Sequence, residues 1–505
     1  MPSTAKASYE HVCQHARQIA LLTTVGSALE WDERTMLPTA ATDYRAKQTT
    51  LIAGMAHERW TDPGFVAEVA ELAAGPLAAD PADDRAVTLR RLKRQIDKKV
   101  KLPRTLVEEL TRTATLAQHA WDQARQQNRF ALFLPLLEKT FELKRQQAEA
   151  LGYPQSPYDA LLDDYEPDEL TANVGRVLSG LREQLVPLVA AIRESGRQPN
   201  TSILTRSFPP AQQEAFGLAA AAAIGFDFNR GRLDVTTHPF CTTLGPHDCR
   251  ITTRYDEHFF NAALFGILHE AGHGLYEQGL EPARFGLPLG EAVSLGIHES
   301  QSRLWENLVA RSRPFWEHFY GDAQRRFPAA LGDVALDDFH FAVNDVRPSL
   351  IRVEADEATY NLHILIRFEL EQALLSGDLP AADLPEAWNG KCEQYLGIRP
   401  PNDVEGVLQD VHWSAGLVGY FPTYTLGNLY AAQFFAEADR QLGGLAGQLA
   451  RGEFTPLREW LRDAIHRHGQ RWSAGELVLR VTGRPLSPEP LLAHLRGKFG
   501  ALYGI

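Results

Sequence analysis

Two histidines four residues apart, His269 and His273, enclose a glutamate, Glu270, that directly follows the first of them. On a helix, residues at positions i and i+4 project from one face, so both imidazoles can bind a single zinc ion. Glu270 is turned by roughly 100° from His269, which keeps it off the ligand face but within reach of a water molecule beside the metal. This spacing separates two ligands from a general base, as metal-assisted hydrolysis requires.

The alternative is a core helix in which these three residues have no chemical role. The stretch 258–276, HFFNAALFGILHEAGHGLY, is apolar nearly all the way round, which predicts a buried helix with Asp256 as its N-cap and a start near residue 257. Two histidines and a glutamate buried there without partners would carry a large desolvation cost. A bound divalent cation removes that cost, so the placement favours the metal site.

A hydrolytic zinc site needs a third protein ligand and leaves one position for water. Gly279 stands where some related motifs have a third histidine, so a carboxylate from the next helix is the other solution. The predicted helix at 291–309 offers three glutamates: Glu291, Glu299 and Glu306. Glu299 lies among polar residues, which favours a functional cavity, and it is the predicted ligand. The other two glutamates are expected at helix ends or on the surface.

Carboxylates that orient the histidine ligands are a further expectation, because a ligating imidazole usually donates its second nitrogen to a carboxylate or carbonyl. The stretch 352–361 supplies Glu354, Asp356 and Glu357, of which the first and third share a helical face. The same residues fit a solvated acidic turn equally well. Both interpretations stay open.

Most of the chain around this site is predicted to be helical. Between about 85 and 150, apolar residues recur every three or four positions among many charges, with Pro103 at a helix start and Gly152 at a stop. No strand is predicted in the first 200 or so residues. The stretch 231–257 has β-branched residues on both sides of a Gly-Pro turn at 245–246, which predicts a short hairpin or small sheet before the metal helix.

Composition excludes several classes of function. With 51 Lys and Arg against 64 Asp and Glu, the net charge of −13 and the lack of a basic stretch argue against a nucleic-acid partner. The N-terminus lacks the pattern of a signal peptide, and the apolar run 216–226 is too short to span a bilayer, so no membrane partner is expected. Four cysteines without framework spacing indicate reduced thiols and a cytoplasmic protein. The spacing of His238, Cys241, His247 and Cys249 fits no second zinc site.

Several separated stretches together resemble the carboxypeptidase Taq family of metallocarboxypeptidases. These are EWDERTMLP (30–38), LLDDYEP (161–167), HPF (238–240), DCRIT (248–252), HEAGH (269–273), HESQS (298–302), EADE (354–357) and GVLQDVHW (406–413). The resemblance implies a mainly α-helical, two-lobed fold with a deep central groove and a small sheet beside the metal helix. It also implies a homodimer that releases single residues from peptide C-termini. Residues 1–505 would form one catalytic unit, with about 1–230 covering the groove and about 231–505 holding the metal.

The resemblance also assigns roles to individual residues. It implies that His269, His273 and Glu299 bind the metal and that Glu270 is the general base. Zinc is the expected ion, with cobalt as the alternative, because imidazole and carboxylate ligands accept several divalent ions. His412 and Tyr420 are implied as donors to the tetrahedral oxyanion, with Tyr424 as a weaker substitute, and His238 is implied at the groove.

A carboxypeptidase must also bind the free C-terminal carboxylate of its peptide substrate, for which a bidentate arginine is the natural partner. The candidates are Arg250, Arg347 and Arg352. Arg250 is preferred, because it lies in the predicted strand before the metal helix and Asp248 would share its face.

Two other functions compete with this one. A metallo-oligopeptidase that cuts within short peptides would have the same metal core but would not need the arginine. A helical binding scaffold with a structural metal is the other alternative, but structural zinc sites usually have four Cys or His ligands, and a glutamate beside the first histidine would serve no purpose there.

Overall fold

The structure is a computed structural model that describes residues 2–505, and it is mainly α-helical, as predicted. In the first half of the chain the helices are α1 (Pro2–Thr35), α2 (Thr42–Trp60), α3 (Pro63–Ala74), α4 (Asp84–Lys101), α5 (Arg104–Gln126), α6 (Leu134–Leu151), α7 (Pro157–Leu162), α8 (Thr171–Glu194) and α9 (Pro210–Ile224). In the second half they are α10 (Phe260–Gly279), α11 (Leu295–Arg303), α12 (Arg313–Arg326), α13 (Pro328–Leu331), α14 (Leu336–Val343), α15 (Tyr360–Ser376), α16 (Leu384–Leu396), α17 (Pro422–Gln441), α18 (Leu445–Ala450), α19 (Thr455–Ala464), α20 (Ala474–Thr482) and α21 (Glu489–Tyr503).

Shorter helical turns connect these elements. A π-helix, Leu304–Ala310, continues α11 without a break. The 3-10 turns are Thr39–Ala41, Pro76–Ala78, Phe130–Leu132, Thr201–Thr205, Pro282–Arg284, Pro288–Gly290, Arg352–Glu354, Ala381–Asp383 and His466–Arg471. The predicted signals at Pro103 and Gly152 are confirmed, since α5 begins directly after the proline and α6 ends at Leu151, before a glycine with φ of 79°.

The small sheet has three strands, β1 (Gly231–Val235), β2 (Cys241–Thr243) and β3 (Cys249–Thr253). Their order is β1-β3-β2, with β1 parallel and β2 antiparallel to β3. The turn at 245–246 therefore joins β2 to β3, and β1 is added by a crossover rather than by a hairpin. The largely buried β3 lies against α10, so the sheet stands beside the metal helix, as predicted.

The buried apolar side chains form a large core and a separate small one. The small core is built from α1, α3 and α4 together with Leu287, and its members are Val12, Cys13, Ala16, Ile19, Phe65, Val69, Leu72, Leu89, Leu92, Ile96 and Leu287. The large core extends from α5 to α21. All four cysteines are free thiols, and Cys241 and Cys249 hold their Sγ atoms 3.6 Å apart. Within residues 2–505, no helix is both long and apolar enough to cross a membrane.

Helix α11 lies in a narrow slot between α10 and α17. A Cβ atom on Gly272 of α10 would stand 2.6 Å from the carbonyl oxygen of Gln301, and one on Gly427 of α17 would stand 2.6 Å from Cγ of Glu299. No larger residue fits at either position without displacing a helix. We call this arrangement the glycine slot.

The start of α11 is fixed by a buried carboxylate from the first half of the chain. Glu166 accepts hydrogen bonds from the Gly296 amide (3.0 Å), the Ser294 hydroxyl (2.9 Å) and the Tyr430 hydroxyl (2.9 Å). Ser294 in turn caps the helix by accepting from the Ile297 amide. The helix that carries Glu299 is thereby held at its first turn as well as along its sides.

Candidate active site

The metal helix begins three residues later than the sequence indicates. Asp256 accepts a hydrogen bond from the His258 amide within a turn, and α10 starts at Phe260, so Asp256 is not its N-cap. The short side chain of Asp competes for nearby backbone amides in this way, and the sequence does not show which amide it takes. From Phe260 onward the helix is largely buried, as predicted.

His269, His273 and Glu299 converge on one point. Single ligand atoms from the three residues all lie within 4.8 Å of one another. The Glu299 Oε2 atom is 3.7 Å from Nε2 of His269 and 3.4 Å from Nε2 of His273. Two imidazole nitrogens and one carboxylate oxygen form a donor set that suits zinc and similar divalent ions. The side chains present therefore fit a metal ion. Among residues 2–505, the histidines and cysteines at 238–249 do not form a second cluster of possible metal ligands.

The charge of the third ligand is stabilised by an arginine. Arg303 Nε donates to Glu299 Oε1 at 2.7 Å. Although burial opposes ionisation, Arg303 and His269 hold the pKa of Glu299 well below its usual range. Burial and the nearby His298 lower the pKa of His273 to about 4, which keeps that ring in the neutral form that binds metals.

Glu306 orients the first histidine and is not a surface residue. Nδ1 of His269 lies 2.9 Å from Glu306 Oε2, and Arg303 and Arg311 also donate to this carboxylate. Burial opposes its ionisation, but Arg303 and His269 lower the pKa of Glu306 to about 2. The expectation of a helix-end charge is wrong because the chain continues beyond α11 as a buried π-helix.

The second histidine is oriented through another histidine. Nδ1 of His273 lies 2.6 Å from Nδ1 of His298, whose Nε2 lies 2.8 Å from Glu277 Oε1. Thr243 of β2 donates to the other oxygen of Glu277 at 3.1 Å. The chain His273–His298–Glu277 therefore fixes which ring nitrogen of His273 is directed to Glu299.

None of the three acidic residues expected in this orienting role contacts the metal ligands. Glu354 is exposed. Asp356 accepts from Thr359 and from the Arg347 amide, and Glu357 pairs with His494 and Lys498. The side chains that do contact His269 and His273 are Glu306 and His298, and they lie on α11 and the π-helix that continues it.

Replacing His298 with alanine is expected to raise the dissociation constant for the metal by about 10- to 100-fold, because His273 loses its orienting partner. Competition with a chromophoric chelator measures this directly, without any peptidase assay. His494→Ala is the matched control, since His494 also pairs with a buried glutamate but lies away from the ligands. Equal metal affinities for the two variants would contradict the role of His298.

The Glu270 carboxylate follows the ligand His269 directly and has no protein partner of its own within residues 2–505. Its side chain is 7% exposed, and no residue of the described chain donates a hydrogen bond or forms a salt bridge with it. Burial raises the pKa of Glu270 to about 7, while His269 acts in the opposite direction. A carboxyl group with a pKa near neutrality can both accept and return a proton.

A second group of side chains lies on α17, which packs against Glu299 at Gly427, and on the segment before that helix. His412 Nε2 is 3.4 Å from the Tyr424 hydroxyl, and the His412 ring is centred 5.4 Å from that of Tyr420. Burial raises the pKa of both tyrosines, and the charge of Glu299 adds to this effect. The phenol groups are therefore in their protonated, hydrogen-bond-donating form.

Arg352 belongs to this second group. It donates to Asp410 at 2.8 Å and to the Tyr360 hydroxyl at 3.1 Å, and it lies over the Tyr424 ring. Arg303, which binds Glu299, lies over the same Tyr360 ring. Tyr360 thus stands between the metal ligands and Arg352.

The remaining predicted substrate residues are placed differently. Arg250 forms a bidentate pair with Asp248 at 2.9 Å and stacks on Trp31 of α1, on the face of β3 opposite the one that Cys249 presents to α10. Arg347 is largely exposed and pairs with Asp345. His238 is exposed. The structure brings none of these three into contact with the metal ligands.

The chain is similar to metallocarboxypeptidases along nearly its whole length. The family model described as carboxypeptidase Taq (M32) metallopeptidase matches residues 11–499. Thermostable carboxypeptidase 1 of Thermus thermophilus is 48% identical over 99% of this chain and 100% of its own length, and carboxypeptidase 1 of Bacillus subtilis is 41% identical over 84% and 85%. The crystal structure of the M32 carboxypeptidase from Deinococcus radiodurans has a TM-score of 0.96 at 43% identity and covers 99% of this chain and 100% of that one.

Proposed function

The chain belongs to the carboxypeptidase Taq (M32) family of metallopeptidases, and from this premise we propose how its residues divide the work. The protein is a metal-dependent carboxypeptidase that acts on peptides, and cleavage within peptides is not favoured. The observation that carries the residue assignment is the convergence of His269, His273 and Glu299, with Glu270 free beside them.

We propose Zn²⁺ as the ion, held by His269, His273 and Glu299, with Co²⁺ as the alternative. The donor set of two imidazoles and a carboxylate supports this choice, because it matches catalytic zinc sites with three protein ligands. When bound, the ion supplies a Lewis acid that polarises the scissile carbonyl and lowers the pKa of water.

Glu270 takes the proton from the attacking water and delivers it to the leaving amine. Its burial, its lack of a salt bridge and its raised pKa support this role, since a carboxylate paired with an arginine would be too weak a base. No other carboxylate beside the ligands is free, because Glu299 and Glu306 are both paired with Arg303.

Tyr420 and His412 donate hydrogen bonds to the oxygen that becomes negatively charged as the carbonyl is attacked. Their location just before α17, the helix that packs against Glu299 at Gly427, supports this assignment. Tyr424 is the substitute donor, and its contact with His412 also positions that ring.

Arg352 is proposed to receive the C-terminal carboxylate in preference to Arg250 or Arg347, and His238 is proposed only to border the groove. Arg352 lies over the Tyr424 ring and donates to Asp410, the carboxylate that also lies 3.9 Å from His412, whereas Arg250 stacks on Trp31 of α1. Arg250 is proposed to join the sheet to α1 and to border the groove.

A comparison of substrates tests the exopeptidase activity. A free-acid peptide is expected to lose one residue at a time, whereas the same peptide with a C-terminal amide is expected to react at least about 100-fold more slowly, because a charge-assisted bidentate contact is lost. Mass spectrometry of timed samples measures both rates. Equal rates for the two peptides, or internal fragments from either, would contradict the proposal and indicate an oligopeptidase.

We further propose that residues 1–505 act as one catalytic unit, with about 1–230 covering the groove and about 231–505 carrying the metal, in a cytoplasmic homodimer. The free thiols support the compartment, and the resemblance to the family supports the dimer. The net charge of −13 supports peptides, rather than nucleic acids or membranes, as partners.

A further inference from the structure

A cavity of about 260 Å³ lies next to the metal site, at the C-terminal end of α10. Helices α1 and α4 line one side of it, and the turn between β2 and β3 and the end of α10 line the other. Much of its wall is apolar, including Ala16, Ile19, Trp60, Leu92, Leu280 and Phe285. An apolar cavity beside a catalytic centre is the usual form of a side-chain subsite.

Two partly buried carboxylates, Glu277 and Glu291, line this otherwise apolar cavity. Glu277 is held by His298 and Thr243, and Glu291 accepts from Gln470 at 3.3 Å. Neither has a lysine or arginine within 4 Å among the described residues. The arginine that lines the cavity, Arg230, donates instead to His247 and to the Gln278 carbonyl. The cavity therefore contains two carboxylates that no lysine or arginine of the described chain pairs with.

The cavity is linked to the metal ligands through Glu277, one of the residues that line it. Glu277 follows His273 by four residues on α10, which is a distance of about 6 Å along the helix axis. The two residues are also joined through His298. A long side chain that runs from the metal site along this face of α10 would meet Glu277 about one helical turn after His273.

We infer that this cavity binds the side chain of a lysine or arginine next to the scissile bond. Such a side chain has an apolar stem that matches the walls and a cationic head that matches Glu277 and Glu291. The bound cationic head takes the place of the water that would otherwise solvate these two carboxylates. The inference rests on the proposed carboxypeptidase function and names its preferred substrate class.

The test uses pairs of N-acetylated free-acid peptides that contain either arginine or its neutral isostere citrulline. One pair carries this residue at the last position and the other at the penultimate position, so the two arms show which residue enters the cavity. In one arm, kcat/KM is expected to be about 10- to 100-fold higher for arginine, the range of a charge-assisted hydrogen bond. In the Glu291→Gln variant that ratio is expected to fall several-fold.

Glu214→Gln is the matched control, because it removes the same charge from an exposed position on α9 and is expected to keep the wild-type ratio. Each ratio is measured within one variant, so a partial loss of folded enzyme cancels. Equal kcat/KM values for arginine and citrulline in both arms overturn the inference, and if leucine-terminated peptides are still hydrolysed the carboxypeptidase function stands. A ratio that Glu291→Gln leaves unchanged also overturns it. Failure to hydrolyse any free-acid peptide overturns both.

Discussion

Replacing Glu270 by glutamine is expected to lower kcat by about 100- to 10,000-fold while the metal stays bound. Glutamine keeps the size and the carbonyl oxygen of the side chain but cannot take up a proton. The orienting contacts of His269 and His273 do not involve Glu270, so the ligand geometry is unaffected. Steady-state kinetics on a free-acid peptide, together with elemental analysis of the purified variant, measure both parts of the result.

The outcome separates the general base from a structural role. A variant that loses metal and activity together would assign Glu270 to the coordination sphere instead. A variant that keeps more than about a tenth of the wild-type kcat would contradict proton transfer by this residue, because such transfer is worth at least about 100-fold.

Replacing Glu299 by alanine is expected to abolish metal binding and to lower kcat/KM by roughly 10,000-fold or more, because both the Lewis acid and the source of low-pKa water are lost. Removing the ion from the wild type with a chelator is expected to have the same effect, and restoring Zn²⁺ or Co²⁺ should recover activity only in the wild type. Elemental analysis and kinetics check this prediction. Glu270→Gln is the informative contrast, because its kcat is expected to fall while its metal stays in place.

The loss of metal binding in Glu299→Ala can also be measured without a substrate, by thermal unfolding. A ligand that binds only the folded state stabilises it by mass action, so saturating Zn²⁺ should raise the melting temperature of the wild type and leave that of Glu299→Ala unchanged. Equal shifts in the two proteins would show that the ion binds elsewhere.

The ligand residues follow from local sequence rules. His269 and His273 share a face of α10 because they are one helical turn apart, and Glu299 stands out as a charged residue among polar neighbours in a helix. The sequence around Glu306 also indicates a buried position close to Glu299. Glu306 follows Glu299 by seven residues, which returns it to nearly the same helical face, and its neighbours Trp305 and Leu308 are apolar.

Other features depend on packing that the sequence does not report. The contact between His273 and His298 joins two helices, and it exists only because Gly272 lets α10 and α11 approach so closely. The parallel pairing of β1 with β3 and the true start of α10 likewise depend on non-local contacts rather than on propensity. The acidic stretch 354–357 has the residue types expected of carboxylates that orient histidine ligands. Its partners are instead Thr359, His494 and Lys498, none of which is a metal ligand.

The glycine slot has a consequence for how this enzyme can diversify. Because Gly272 lets α10 reach the main chain of α11, and Gly427 lets α17 pack directly on the Glu299 side chain, the location of Glu299 is set by the spacing of these three helices. Most of the wall of the neighbouring cavity comes from α1, α4 and the loops around the sheet, which take no part in that spacing. Substitutions in this wall can therefore change the shape and charge of the cavity without displacing Glu299.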